Sequence, residues 1–448
     1  MSDPFDVSGA RAQFPALAQI HHQEGRPADD RPVVFLDNPG GTQVPQSVVD
    51  AMTGYLVSSN ANCGGSFATS QRSDAILQEA HAAMGDMLNA ASADEIVFGP
   101  NMTTLTFGIS RALAREIGPG DEIVVTRMDH DANISPWLLA AEDRGATVRW
   151  ADFDVEDYTL DMSGLRNLIS EKTKIVAIGY ASNALGTVSD VKTIIEWAHE
   201  VGALAFVDAV QYAPHGPIDV QALDCDMLVV SAYKFYGPHV GVLYGRYELL
   251  DRLCAYKVRP ASSDPPGKFE TGTQNHEGIA GTLAAVNYLA GIGEMHGEDC
   301  KDCFPSFSGR RLLVKTGMTA LREYDRVLSA AILDELETLP GMRIHGITDR
   351  NRLDERVPTV SFTWEGRHPR DIAAALGEQG IFVWDGNYYA LAVTTRLGLE
   401  GKGGMVRIGA VHYNTVEEIR RLGDTLRAMT LQPSYAAESR SHLQRDSH

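Results

Sequence analysis

Lys234 stands just beyond the apolar run 227–230, in the segment CDMLVVSAYKFYGPHVGVLYG, with Ser231 before it and the Gly237-Pro238 break behind it. At the carboxyl end of a buried strand, walled by Tyr233, Phe235 and Tyr236, a lysine is partly desolvated and its neutral amine is favoured. That is the form that condenses with a carbonyl to give a Schiff base. A lone lysine in such a segment also suits a surface turn, so the other strand ends matter. The segment ALAFVDAVQ closes another apolar run on Asp208, with Gln211 three residues on. A carboxylate there can keep a ring nitrogen protonated through a charged hydrogen bond, or cap a helix.

Three further strand ends complete the series. Beyond Phe98 comes GPNMTT, a turn feeding a helix whose first residues include Thr103 and Thr104. Backbone N–H groups and hydroxyls at a helix start hold phosphate. Beyond Val125 comes TRMDHDAN, which sets His130 where an imidazole can stack on a planar ring, and beyond Gly179 comes YASNALGT, which brings the Asn183 amide within reach of a ring substituent. Singly, these also read as turn residues, a satisfied histidine and a capping asparagine. Together they describe a site for pyridoxal 5'-phosphate, whose ring acts as an electron sink. Arg407 adds a planar guanidinium able to grip an α-carboxylate with two parallel hydrogen bonds, or to form an ordinary salt bridge.

The elements that position these residues alternate. From about residue 95, short apolar runs (95–98, 122–126, 174–179, 203–207, 227–230) are separated by helical patterns (103–116, 132–144, 188–201). Runs of continuous Val, Ile and Ala are buried on both faces, which predicts an α/β domain with a parallel sheet covered by helices. Such folds put their chemistry beyond the carboxyl ends of the strands. After about residue 310 the texture changes to a long helix (311–339), shorter strands near 357–364 and 404–409, and a final helix over 416–429. The chain therefore divides into an amino-terminal segment, 1–36, packing with the small domain; a large cofactor-binding domain, 37–305; a small domain, 306–430; and a polar tail, 431–448, expected to be disordered.

With 448 residues and 44% hydrophobic content, the chain can bury a large core. Its net charge of -20 argues against nucleic acid or an anionic membrane as partner. No stretch approaches a bilayer-spanning length, and the first residues lack a cationic start with an apolar run, so a cytoplasmic enzyme is expected. The five cysteines show no disulfide-framework spacing. Cys300-x-x-Cys303 has no matching second pair of ligands, so no metal is expected.

The stretches FLDNPGG, IVFGPNMTT, MDHDANISPW, ASNALGT, FVDAVQ, ALDCDMLVVSAYKFYGP, FETGT and MVRIGAVHYNT, in this order from about Asp37 to the last helix, resemble the class V aminotransferases of fold type I. Within that family they resemble the cysteine desulfurases and selenocysteine lyases. The resemblance implies a large domain with a mostly parallel seven-stranded sheet and a smaller α+β C-terminal domain. It implies Lys234 as the Schiff-base lysine, Asp208 as the partner of the pyridinium nitrogen, and Gln211 and Asn183 as neighbours of the phenolic oxygen. His130 would stack on the ring, Thr103, Thr104 and Ser231 would hold the phosphate, and Tyr233 would line the cofactor. Arg407 would clamp the substrate carboxylate, with Asn38 and Tyr388 also on the substrate side. Thr273 of FETGT would reach the phosphate of a neighbouring subunit, which implies a homodimer with shared active sites.

The departures narrow the reaction. Desulfurases carry a nucleophilic cysteine in a mobile loop before the Arg407 segment, whereas FVWDGNYYALA has none and Tyr389 stands in its place. A phenol with a pKa of about 10 is a poor persulfide former. Tyr233 replaces the histidine usual before the lysine, Trp384 replaces an arginine, and Cys63 in NANCGGSF is expected to be a small buried thiol. The expected activity is a pyridoxal-phosphate lyase that removes a β-substituent from an amino acid without a persulfide, with Lys234 as general base and Tyr388 or Tyr389 as proton donor. An aminotransferase or epimerase, and a non-catalytic cofactor-binding module, are the alternatives.

Overall fold

The computed structural model describes residues 5–21 and 31–430. The predicted tail 431–448 lies outside the described residues, as do parts of the segment 1–36. β1 (Val34–Phe35) comes first. Seven strands follow: β2 (Ile96–Gly99), β3 (Glu122–Thr126), β4 (Thr147–Ala151), β5 (Thr173–Gly179), β6 (Leu204–Asp208), β7 (Met227–Ser231) and β8 (Gly241–Gly245). They form one sheet in the order β2-β8-β7-β6-β5-β3-β4. Only β8 runs antiparallel to its neighbours; the other pairs are parallel.

β2, β3, β7 and β8 are buried at every residue. Side chains alternate along a strand, so successive residues enter two different cores. Val97, Val125, Ala177, Phe206 and Val229 belong to one, and Phe98, Val124, Ile178, Val207 and Val230 to the other. Two strands lie outside the predicted runs. β4 is the sheet edge, where exposed Thr147 and Arg149 interrupt the apolar signal. β8 is short and begins and ends in glycine.

The helix Gly309–Glu337 leads to β9 (Met342–His345), β10 (Thr359–Trp364), β11 (Ile381–Phe382), β12 (Trp384–Gly386) and β13 (Met405–Gly409), and the helix Val416–Thr430 follows. β12, β13, β10 and β9 form an antiparallel sheet in that order, while β11 pairs in parallel with β1. The long helix crosses His276–His296 at close range: a Cβ on Gly317 would meet Leu289 O at 2.5 Å, so glycine is required there. The amino-terminal segment lies against this C-terminal part of the chain. Val34 donates its N–H to Gly380 O at 2.8 Å, Arg11 pairs with Glu418 at 2.9 Å, and Phe14 packs on Tyr413 with ring centroids 4.8 Å apart. No described helix is long and apolar enough to cross a membrane.

Candidate active site

The carboxyl ends of β2, β3, β5, β6 and β7 open into one cavity. Thr103, His130, Asn183, Asp208, Gln211, Tyr233 and Lys234 all line it. Sequence separations of more than a hundred residues close here because each parallel strand ends on the same side of the sheet.

Lys234 ends a short 3-10 turn, Ala232–Lys234, directly after β7. Its Nζ donates to Pro39 O at 2.5 Å and lies 4.6 Å from the centre of the Tyr233 ring. Burial, reinforced by the charge of Arg407 and opposed by Asp208, brings its pKa down to about 7. Gln211 Nε2 donates to the same carbonyl at 2.8 Å, so Pro39 O gathers both side chains. Asp208, the last residue of β6, accepts the Val210 N–H at 2.9 Å. Burial raises its pKa to about 6, against the pull of that hydrogen bond and of Lys234.

His130 Nδ1 accepts the Ala132 N–H at 3.0 Å, and its ring stacks on Tyr389 at 5.6 Å with a 25° tilt. Burial, then the charges of Lys234 and Arg407, lower its pKa to about 4, so the imidazole is neutral at pH 7. Asn183 Nδ2 donates to Tyr388 O at 2.8 Å, and Arg407 Nη1 donates to Asn183 O at 2.9 Å. Arg407 lies on β13, opposite Ser361 of β10 and Trp384 of β12. Its guanidinium sits 4.3 Å from the centre of the Tyr388 ring, and burial lowers its pKa to about 10.

Tyr388 and Tyr389 have φ values of 56° and 60°, two successive non-glycine residues in the left-handed region. Such conformations persist only where surrounding contacts enforce them. Asn183 holds the Tyr388 carbonyl, and Asp131 N–H donates to Tyr389 O at 2.7 Å. The Tyr388 hydroxyl donates to Met405 O, which leaves that phenol committed, whereas Tyr389 is 74% exposed.

Several expected residues stand elsewhere. Ser231 is fully buried and its Oγ accepts the Met102 N–H at 3.1 Å, so it braces the helix start instead of facing the cavity. Thr104 N–H donates to the capping Asn101 at 2.9 Å, and Thr104 lines a neighbouring surface depression together with Thr273. Asn38 is spent on structure: its Nδ2 donates to Phe35 O, Gly409 O and Asn414 Oδ1 at 3.0, 2.8 and 3.1 Å, and its Oδ1 accepts from Tyr413. It has no donor left for a substrate. Cys63 is exposed, not buried, and its Sγ lies 3.8 Å from His276 Nε2. Cys300 and Cys303 are free thiols, and no group of metal ligands occurs among the described residues.

Asp129 was missed. It lines the cavity, accepts the Gly179 N–H at 2.8 Å and Asn133 Nδ2 at 3.1 Å, and is pushed well above the carboxylate range by burial and then by Asp208. Its position directly before His130 was the available signal. Asp37, also missed, is raised to about 6 by burial.

Three buried polar atoms around the site, Asp37 Oδ1, Asn183 Oδ1 and Arg407 Nε, have no hydrogen-bond partner among the described residues. Buried groups of this kind are costly unless a ligand satisfies them. A lysine amine made easy to deprotonate by burial, a buried carboxylate, a neutral stacked imidazole, a helix start and a buried guanidinium fit pyridoxal phosphate and the carboxylate of an amino acid. Fold and cavity are those of a fold-type I pyridoxal-phosphate enzyme.

The model of the family described as Aminotransferase class-V matches residues 34–300 and 309–422. An aminotransferase-like protein, FGM3, of Gibberella zeae is 34% identical over 94% of this chain and 98% of its own length. A probable cysteine desulfurase of Streptomyces coelicolor is 33% identical over 94% of this chain and 96% of its own. The crystal structure of the Escherichia coli cysteine desulfurase CsdA, in an S-sulfonic acid form, superposes with a TM-score of 0.79 at 28% identity, covering 96% of this chain and all of that one. The chain belongs to the class-V aminotransferase family of pyridoxal-phosphate-dependent enzymes and is similar to its cysteine desulfurases.

Proposed function

We propose that this chain is a pyridoxal-phosphate lyase that removes a β-substituent from an amino acid without forming a persulfide on a loop cysteine. The observation that carries the reading is that a tyrosine, Tyr389, and not a cysteine stacks on His130 of the cavity that holds Lys234, on the loop ahead of the strand bearing the buried Arg407. Lys234 would hold the cofactor covalently, Asp208 its ring nitrogen and Thr103, at the start of the helix Met102–Leu113, its phosphate. His130 and Tyr233 would bracket the ring, with Asn183 and Gln211 on its polar edge. Bound there, the cofactor supplies an electron sink for the pair released at Cα.

The chain's own residues do the rest. Arg407, floored by Tyr388, fixes the substrate carboxylate and so orients the bond to be broken. Lys234, whose pKa is lowered to about 7 by burial, would be the group that takes the Cα proton. Tyr389 carries a free phenol beside His130 and is the group able to protonate the departing fragment, because the Tyr388 hydroxyl is occupied by Met405 O. Thr104 and Thr273, exposed together beside the cavity, suit a homodimer in which Thr273 completes the partner's phosphate site.

The deciding experiment is a panel of amino acids offered to the purified protein without any keto acid. Sustained release of pyruvate together with the β-fragment is expected. A single-turnover loss of the visible band, with no product accumulating, would assign transamination and overturn the lyase reading. Protein that is colourless and takes up no pyridoxal phosphate would overturn the cofactor site as well.

A further inference from the structure

Two residues beyond Lys234, Tyr236 adopts φ 69°, a left-handed conformation in a bulky residue. The turn from Ala232 to Gly237 depends on it: Phe235 and Gly237 both donate to Ala232 O at 2.9 Å, closing the loop that carries Lys234 into the cavity. The Tyr236 N–H is held by Thr42 Oγ1 at 3.0 Å, but its fully buried ring is held from behind.

There the hydroxyl donates to Pro214 O at 3.3 Å. That spends its one hydrogen, so the contact of 2.9 Å with His412 Nδ1 runs from the imidazole N–H to the phenol oxygen. His412 Nε2 is then the unprotonated nitrogen, and it accepts the Tyr288 hydroxyl at 2.5 Å. Each donor meets one acceptor in a chain with a single direction. His412 is buried, and burial followed by the charges of His215 and His296 lowers its pKa to about 3, so it stays neutral and keeps this pattern. His215 is itself paired with Asp325 at 2.8 Å.

His412 lies five residues past Arg407, just beyond the end of β13, whereas Tyr236 follows the lysine turn and Tyr288 sits in the helix His276–His296. Phe14 covers the junction, with ring centroids 6.0, 5.4 and 5.8 Å from Tyr236, Tyr288 and His412. We propose that His412 is a positioning residue for the active-site lysine: through Tyr236 it holds the turn that delivers Lys234, and it ties that turn to the strand bearing Arg407. The spacing between covalent anchor and carboxylate clamp is thereby fixed by one imidazole. The inference rests on Lys234 being the reactive amine described above.

The test uses the full-length chain with His412→Phe, which keeps an aromatic ring and removes both hydrogen bonds, and Tyr236→Phe, which removes only the phenol oxygen. Lys234 labelling by acetic anhydride, followed across pH by peptide mass spectrometry on protein freed of cofactor, is expected to have a midpoint near 7 in the wild type. Loosening the turn admits water, so both variants should move that midpoint up by about one pH unit, an approximately fivefold loss of neutral amine at pH 7. In cofactor-loaded protein the visible circular dichroism per bound pyridoxal phosphate should fall by about half, since that signal reports a fixed ring. Melting temperatures that drop while midpoint and dichroism stay at wild-type values would overturn the proposal. If the wild type takes up no pyridoxal phosphate, the function proposed above fails, and the labelling midpoint still decides the role of His412. Should His412→Phe fail to fold, Tyr236→Phe carries the same expectation.

Discussion

The guanidinium of Arg407 lies 4.3 Å from the centre of the Tyr388 ring, and the phenol of that ring is anchored on Met405 O. The ring therefore supports a buried cation that, among the described residues, has one hydrogen bond, on Nη1, and none on Nε. A buried cation–π contact is worth about 2 kcal/mol. Tyr388→Leu should weaken amino-acid binding roughly tenfold or more, read as the concentration that half-saturates the spectral change, with little effect on cofactor uptake. Equal binding in wild type and variant would remove Tyr388 from the clamp.

Lys234 has a pKa of about 7 in the folded chain, well below its unfolded value. The unfolded chain thus binds the extra proton between about pH 7 and 10.5, and the cofactor-free protein gains stability as pH rises through that window. At neutral pH the buried amine is a burden. Lys234→Met should raise the stability of cofactor-free protein by roughly 2–4 kcal/mol in urea titrations, while abolishing the visible band and borohydride-fixed label. A variant that is less stable than wild type would contradict this.

Asp208→Asn removes the carboxylate proposed above as the partner of the ring nitrogen. Covalent capture of pyridoxal phosphate should survive, because Lys234 is untouched. Exchange of the Cα hydrogen for deuterium should slow by about a hundredfold or more, an estimate from the worth of a buried charged hydrogen bond. Nuclear magnetic resonance of the substrate pool measures this directly, and unchanged exchange would point to another counter-ion, with Asp129 the first to examine.

Tyr389→Phe keeps the ring on His130 and removes the proton. Release of the β-fragment should fall about tenfold to a hundredfold, the range for one general acid, with cofactor uptake intact. Cys63→Ala should leave turnover unchanged, since partial desolvation and then Asp74 push that thiol upward and it is not among the residues lining the cavity. Sulfide release from cysteine that vanished in Cys63→Ala would make the thiol, not Tyr389, the group to explain.

Much of the large sheet was legible because buried parallel strands are written as unbroken Val, Ile and Ala, and the residues after each run face one crevice. β4 escaped notice because an edge strand need bury only one side. The fate of individual polar groups was not legible. Asn38 looks like a ligand-binding amide until Gly409 and Asn414, distant in sequence, take its hydrogens. Ser231 is drawn inward by a single backbone N–H at the start of the distant helix Met102–Leu113. Asp129 was not legible because its burial, its bond to the Gly179 N–H and its closeness to Asp208 all come from residues distant in sequence.

The pinned loop at Tyr388 and Tyr389 has one more consequence. A swinging arm can ferry a fragment from the substrate to a docked acceptor protein, but this arm is moored at both carbonyls, to Asn183 and to Asp131. It offers no carrier atom and little travel. On the lyase reading proposed above, the departing fragment would leave as a free small molecule and not as a group carried on this loop.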